Sequence, residues 1–386
     1  MSIATQIDPV ALTQDLIRRP SVTPADAGAM DIVQQTLQGL GFACRRMKFG
    51  EIENLYARYG TASPNLCFAG HTDVVPVGDA AAWSSEAFAA EIIDGVLIGR
   101  GSVDMKSGVA AFAAACAKAI AAGQVAGSLS FLITGDEEGI ATHGTKMVVQ
   151  ALKAEGEIID HCVVGEPSSA ETFGDMIKIG RRGSINVEIV VEGVQGHVAY
   201  PHRAANPVPV LVALLHRLSE TELDTGFLGF QPSNLEVTTV DVGNATTNLI
   251  PAAAKARLNI RFNPNHTGQS LADWIEGEAR EALAGFQGNI VVTPSISGEA
   301  FLTEPGPFTD VVAAAVADIT GKGPELSTTG GTSDARFIRA LCPVVELGLV
   351  GKTMHAVDER APVEEIRQLQ AVYERLIERY FQAFKA

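Results

Sequence analysis

Basic residues are in short supply: 29 Lys and Arg stand against 45 Asp and Glu in 386 residues, a formal charge of −16. Such a chain repels phosphate backbones and anionic bilayers, which argues against nucleic-acid binding and against docking on an acidic membrane. Cysteines are few and odd in number: Cys44, Cys67, Cys116, Cys162 and Cys342. They form no C-x-x-C pair, so neither a disulfide framework nor a cysteine zinc site is expected. Cys67, Cys116 and Cys162 lie in apolar runs and read as buried thiols of a protein kept in a reducing cytosol. No apolar run is long enough to cross a bilayer. The longest, Gly108–Gly123, is Ala-rich and interrupted by Lys118, the texture of a buried helix. Met1–Pro20 has no basic stretch leading into an apolar core, so no secretory signal is read there and a cytoplasmic location is expected.

What the chain does contain points to more than one domain, since single cores stop growing near ~250–300 residues. Up to about residue 179, buried strands alternate with helical segments, the mark of a mostly parallel α/β sheet covered on both faces. LCFAGHTDVVP, SLSFLITGDEE and HCVVGEPS each run from an apolar strand into a polar turn. The spacing predicts helices from Asp8, after a cap at Asp26, and along the Ala-rich stretch. From about residue 180 to 293 the texture changes. SINVEIVVEGV, NLEVTTVDV and AKARLNIRF alternate apolar and polar residues, as half-exposed antiparallel strands do. With helices near Pro207–Leu218 and Ser270–Ala284, this predicts an inserted α+β module of four strands and two helices. The α/β pattern resumes over 294–386, with a helix over Phe308–Ile319, a strand in PVVELGLV and a last helix over Val363–Phe384.

Ligands bind such sheets at the carboxyl ends of the strands, and the polar clusters fall there. His71 and Asp73 lie in GHTD, Asp104 in GSVDMK, Glu137 and Glu138 in GDEEG, and Glu166 in GEPS. His355, in KTMHAVDE, comes far downstream. Any one acidic residue after a strand is commonly a cap or a solvated turn. Their recurrence at successive strand ends is what points to a metal, and imidazole with carboxylate suits zinc, manganese or cobalt. Asp73 stands two residues beyond His71, so extended backbone would turn both side chains one way and let Asp73 hold the imidazole. Glu137 and Glu138, being adjacent, would diverge. Either one binds metal while the other serves as base, or both are ligands. His143, His161, His202, His216 and His266 match no ligand pattern and read as structural.

In their order along the chain, GHTDVVPVGD, RGSVDMKSG, TGDEEG, GEPS and the late histidine resemble the dinuclear zinc amidohydrolases of the aminoacylase and carboxypeptidase superfamily. RRGSINVEIVVEGVQGHVAYPHRAANPV and STTGGTSDARF resemble its desuccinylase branch. The resemblance runs over nearly the whole chain. It implies two zinc ions, replaceable by cobalt, with His71 and Glu166 on one, Glu138 and His355 on the other, and Asp104 bridging both. It also implies Glu137 as general base and His197 as oxyanion donor, reaching a partner subunit's site in a homodimer. Arg181, preferred to Arg182, would hold a small-molecule substrate carrying several carboxylates, together with Ser184, Tyr200, Asn248, Arg261, Gly331 and Thr332. The implied reaction is hydrolysis of the N-succinyl amide of LL-2,6-diaminopimelate. A related deacylase of the acetylornithine type, a dipeptidase and an inactive binding protein are the competing readings. Gly351 departs from the pattern, because relatives often carry Asn four residues before the late histidine.

Overall fold

The computed structural model describes residues 6–385; the first five residues of the segment read for a secretory signal lie outside them. The chain forms two compact units: one of residues up to Ile179, Thr303–Ser327 and Ser333 onward, the other of Gly180–Leu302 with Thr328–Thr332. The second unit runs past residue 293, where the change of texture at Pro294 had placed the boundary. Pro294 lies inside a strand, Asn289–Gly298, opposite Val187. That strand borders the sheet on one side only, so the missing amide of proline is tolerated there.

In the first unit an eight-stranded mixed sheet has a largely parallel centre. Asn65–His71 pairs in parallel with both Ser128–Thr134 and His161–Val164, and the latter pairs in parallel with Val344–Glu346. All residues of Asn65–His71 and Ser128–Thr134 are buried, as central strands covered on both sides require. Helices Pro9–Ile17, Lys106–Ala121, Pro307–Thr320 and Val363–Ala383 pack with one another, while Ala29–Gly39 and Thr145–Ala154 pack on the strands. The cap expected at Asp26 is present: its carboxylate accepts from the Gly28 and Met30 amides at 3.0 and 2.9 Å, and Asp8 caps the first helix by accepting from the Val10 amide at 3.0 Å. The Ala-rich helix lies close against the sheet: a Cβ at Gly108 would come 2.7 Å from the Gly165 carbonyl. Buried Lys106, in its first turn, reaches out to the Leu16 and Arg19 carbonyls, both at 2.9 Å.

A three-stranded sheet completes this unit, with Arg360–Pro362 antiparallel to Val96–Ile98 and Ile98 paired with Arg360. This pairing brings the segment just before residue 360 beside the one just after residue 98. The sequence distance between them exceeds 250 residues, and nothing in local periodicity announces the contact.

The second unit is the expected four-stranded antiparallel sheet with two helices. Its strand order is Asn234–Asp241, Ala253–Phe262, Gly183–Glu192, Asn289–Gly298. Ile185, Val187, Ile189 and Val191 alternate inward with Ala254, Ala256, Leu258, Ile260 and Phe262, against Leu211, Leu214, Leu271 and Ile275 of helices Pro207–Glu220 and Gly268–Ala282. The second helix starts before Ser270 because Thr267 and Ser270 cap it reciprocally, each side chain accepting the other's amide at 3.0 Å. Among the described residues no helix is long and apolar enough to cross a membrane. All five cysteines are free thiols.

Candidate metal centre

Because the three central strands run parallel, they deliver His71, the GDEEG turn and Glu166 to one end of the sheet. Asp104 comes from the loop ahead of the Ala-rich helix. His355 comes from the turn ahead of Arg360–Pro362, held near Asp104 by the small sheet. All six side chains belong to the first unit.

Asp104 lies between two imidazoles. Its Oδ1 is 3.1 Å from His71 Nε2 and its Oδ2 is 3.3 Å from His355 Nε2. A second carboxylate approaches the same nitrogen of each ring: Glu166 Oε1 is 3.7 Å from His71 Nε2, and Glu138 Oε1 is 2.9 Å from His355 Nε2. His71, Asp104 and Glu138 form one group of potential ligands, and His71, Glu137 and Glu166 another, with ligating atoms within 4.8 Å of one another in each. The adjacent glutamates therefore diverge, one into each group. His71, Asp104 and Glu166 are buried, whereas the His355 side chain is 49% exposed.

Asp73 acts on His71 in a different manner from the one its spacing suggested. His71 Nδ1 bonds the main-chain carbonyl of Asp73 at 2.9 Å, while the nearest carboxylate oxygen is 3.6 Å away. The strand stops at His71, so the same-face rule for residues two apart no longer applies. The Asp73 carboxylate instead accepts from the Glu137 and Glu138 amides at 3.4 and 3.1 Å, fixing the turn that carries both glutamates. With Nδ1 donating to a carbonyl, His71 Nε2 is left as the nitrogen able to bind a metal.

The electrostatics call for added positive charge. Burial pushes the His71 imidazole down, but Asp104 and the nearby glutamates outweigh it and hold its pKa well above the ordinary value. Hydrogen bonds to the Asp104 and Glu138 carboxylates bring the His355 pKa up to about 10. Burial raises Glu137 and Glu166 well above the usual carboxylate range. Burial also opposes ionisation of Asp104, yet the two imidazoles overcome it and lower its pKa. Imidazoles that retain protons and carboxylates that resist losing them mark a site with too much negative donor density to stand alone. Divalent cations satisfy such a site, and two imidazoles with carboxylates fit them by chemistry.

The residues expected to hold substrate lie in the second unit in two sets. In one, Arg181 donates to the Thr329 carbonyl at 3.0 Å, and its guanidinium occupies the space a Cβ on Gly330 would need. Gly331 and Thr332 follow in the same loop, the first exposed and the second half-buried. Ser184 stands opposite Arg261 on the neighbouring strand and accepts from Asn259 Nδ2 at 3.1 Å. Arg182 turns away to Asn234, at 2.9 Å. In the other set, His197 and Tyr200 have ring centroids 5.7 Å apart, and the Asn248 carbonyl accepts from the Val198 amide at 3.1 Å. The Ala199 amide donates to His197 Nδ1 at 3.1 Å, so the neutral ring carries its proton on Nε2. Gly351 opens a 3-10 turn in the first unit, its amide donating to the Ser169 carbonyl at 3.1 Å.

Sequence reading passed over Arg100, Glu359 and Asp334, although all three stand inside the quoted motifs. Asp334 is buried and accepts from Thr145 Oγ1 at 2.6 Å. A charged residue at a motif's edge was the available signal, but burial separates such a residue from a solvated one, and burial is tertiary.

The family model of Peptidase family M20/M25/M40 matches residues 67–379. The succinyl-diaminopimelate desuccinylase of Phenylobacterium zucineum is 76% identical over 379 residues, covering 98% of this chain and 100% of that one. The enzyme of the same name from Caulobacter vibrioides is 72% identical over 382 residues, covering 99% and 98%. The M20 family metallo-carboxypeptidase Sso-CP2 from Sulfolobus solfataricus shares the fold with a TM-score of 0.80 at 17% identity, covering 97% of this chain and 99% of that one. The Bacillus subtilis YXEP protein, a dinuclear metal binding peptidase, does so with a TM-score of 0.73 at 14% identity, covering 97% and 98%. On the family match and the two full-length relatives, the chain belongs to Peptidase family M20/M25/M40, among its succinyl-diaminopimelate desuccinylases.

Proposed function

We propose that this protein hydrolyses N-succinyl-LL-2,6-diaminopimelate to succinate and LL-2,6-diaminopimelate, a step of diaminopimelate and lysine biosynthesis in the cytoplasm. It is a metal-dependent amidohydrolase acting on a small molecule. The observation that carries the chemistry is the placement of Asp104 between two imidazoles, each with a further carboxylate beside it. Full-length relatives of one name carry the choice of substrate.

His71 and Glu166 would hold one zinc, Glu138 and His355 the other, with Asp104 shared and cobalt able to replace zinc. Divalent ions held there would polarise the amide carbonyl and acidify a water. Glu137, next to the ligands and free of the pair assigned to Glu138 and His355, takes the proton of that water as its oxygen bonds to the carbonyl carbon. It then passes the proton to the amine nitrogen as the carbon–nitrogen bond breaks. Asp73 positions Glu137 and Glu138 through their amides and His71 through its own carbonyl. His197, with Nε2–H as its free donor, would stabilise the oxyanion from the second unit of a homodimer partner. Arg181, Ser184, Tyr200, Asn248, Arg261, Gly331 and Thr332 would bind the substrate's carboxylate groups, arginines by paired hydrogen bonds.

The test is succinate release from synthetic substrate with metal content measured on the same sample. Release that scales with bound metal is expected. Turnover of acetylornithine or a dipeptide in place of the succinyl substrate would move the protein to a sister activity, and full activity in metal-free protein would end the metal reading.

A further inference from the structure

Beneath the proposed metal centre, Arg100 and Glu359 form an ion pair at 2.6 Å whose side chains are 2% and 0% exposed. Glu359 uses its other oxygen, Oε1, on the backbone. It accepts from the amides of Val103 at 2.9 Å and of Asp104 at 3.1 Å. Arg100 spreads its donors over two other segments. Nη1 reaches the Ala356 carbonyl at 3.2 Å, while Nη2 reaches the carbonyls of His355 at 3.3 Å and Pro76 at 3.2 Å. The guanidinium carbon lies 5.4 Å from the Trp83 ring centroid, and Glu359's own carbonyl accepts from the Gly99 amide at 2.9 Å. One ion pair therefore touches the main chain of Asp104, of His355 and of the segment leading away from His71.

Two features mark this as more than a fold-stabilising pair. A buried ion pair contributes little net stability over apolar side chains of similar volume, so its retention calls for another reason. His355 sits at φ 61°, a left-handed conformation that a histidine adopts only when its surroundings impose it, and Arg100 bonds the carbonyls of His355 and Ala356. The carboxylate of Asp104 and the imidazole of His355 then face each other at 3.3 Å.

We propose that Arg100 and Glu359 are positioning residues that set the distance between the bridging carboxylate of Asp104 and the imidazole of His355. Neither touches substrate or ion; they act through the main chain of the ligands. The proposal rests on the dinuclear reading of the centre and sharpens it, since the pair governs mainly the ion shared by Asp104, Glu138 and His355.

The experiment compares wild type with Glu359→Gln, Glu359→Asp and Arg100→Lys. Glu359→Gln keeps an acceptor for both amides but loses the charge that anchors Arg100. For each protein, cobalt is titrated into chelator-treated sample against a competing chelator, the visible cobalt spectrum is recorded, and thermal unfolding and kcat and KM are measured. In Glu359→Gln one of the two ions should bind roughly 10–100-fold more weakly, with a changed cobalt spectrum. Once metal is saturating, kcat should stay depressed while KM moves little. Arg100→Lys should recover part of the affinity, since it keeps a donor and a charge but not the fork. Glu359→Asp, retaining the charge at a shorter reach, should bind cobalt better than Glu359→Gln. The proposal is overturned if Glu359→Gln binds two ions as wild type does with an unchanged spectrum, or if its only defect is a lowered unfolding temperature. Should a substitution prevent folding, the remaining two variants decide by the same affinity and spectrum. Wild type binding fewer than two ions would overturn the dinuclear reading itself, an outcome separate from any difference among variants.

Discussion

In the first unit His71, Asp104 and Glu166 are almost out of contact with water, whereas in the second unit His197, Tyr200 and Asn248 stand exposed on a short two-stranded ribbon and its turns. The buried set is held by strand ends, an ion pair and main-chain carbonyls, and concentrates carboxylates around two imidazoles. The exposed set costs little to keep and is held by few contacts: a ring neighbour for His197 and a main-chain bond at Nδ1. On the proposed roles, the metal ligands and Glu137 would work from the buried, charge-dense region, and His197 with Tyr200 and Asn248 from the exposed one.

Removing metal should break that contrast most completely. Chelation is expected to abolish turnover, and zinc or cobalt to restore it. Because ions bind the folded centre, a hundredfold excess over Kd should also stabilise the protein by about 3 kcal/mol, read from the unfolding temperature. Next in size is Glu137→Gln, expected to lower kcat by roughly 10²–10⁴-fold while both metals stay bound. Glu138→Gln should instead weaken a metal position, and elemental analysis of both variants tells whether the roles are the other way round. In the exposed region, His197→Ala should cost about 10²–10³-fold in kcat with metal content unchanged. If His197 serves a partner's centre, mixing it with Glu137→Ala should regenerate activity after subunit exchange. No recovery despite proven exchange would confine His197 to its own chain.

The smallest effect concerns a half-buried acid in the second unit, Asp224, that has no catalytic assignment. Burial pushes the Asp224 carboxyl up, but bonds from Ser233, Asn263 and Gly226 bring it down to about 2. A depressed carboxylate stabilises the fold above its unfolded pKa, near 4, and the contribution disappears as pH falls through about 2. Asp224→Asn should therefore cost about 1–2 kcal/mol at neutral pH in denaturant titrations, and the difference from wild type should vanish near pH 2.

Much of the larger region was legible in the chain, because a parallel sheet announces itself by apolar strands ending in polar turns, and every proposed ligand lies at such an end or in a quoted motif. Three of the four strands and both helices of the smaller unit were equally readable from alternation and helical spacing; the fourth strand, Asn289–Gly298, was not. The placement of Asp73 was not. Its carboxylate serves the amides of Glu137 and Glu138 because the strand ends one residue before Thr72, a boundary that pattern cannot fix to a single residue. Pro294 misplaced a boundary because proline reads as a break, and only strand order reveals that it stands where no ladder bond is needed.

By itself, the sequence determined the class of the main segments, the residue types able to bind metal and the order in which strands present them, since periodicity and side-chain chemistry are local properties. Tertiary structure alone decided that Arg360–Pro362 pairs with Val96–Ile98, bringing His355 to Asp104 and Glu359 to Arg100. That pairing joins segments more than 250 residues apart. Which distant groups meet, and which charges lose their water in meeting, depends on how the whole chain packs.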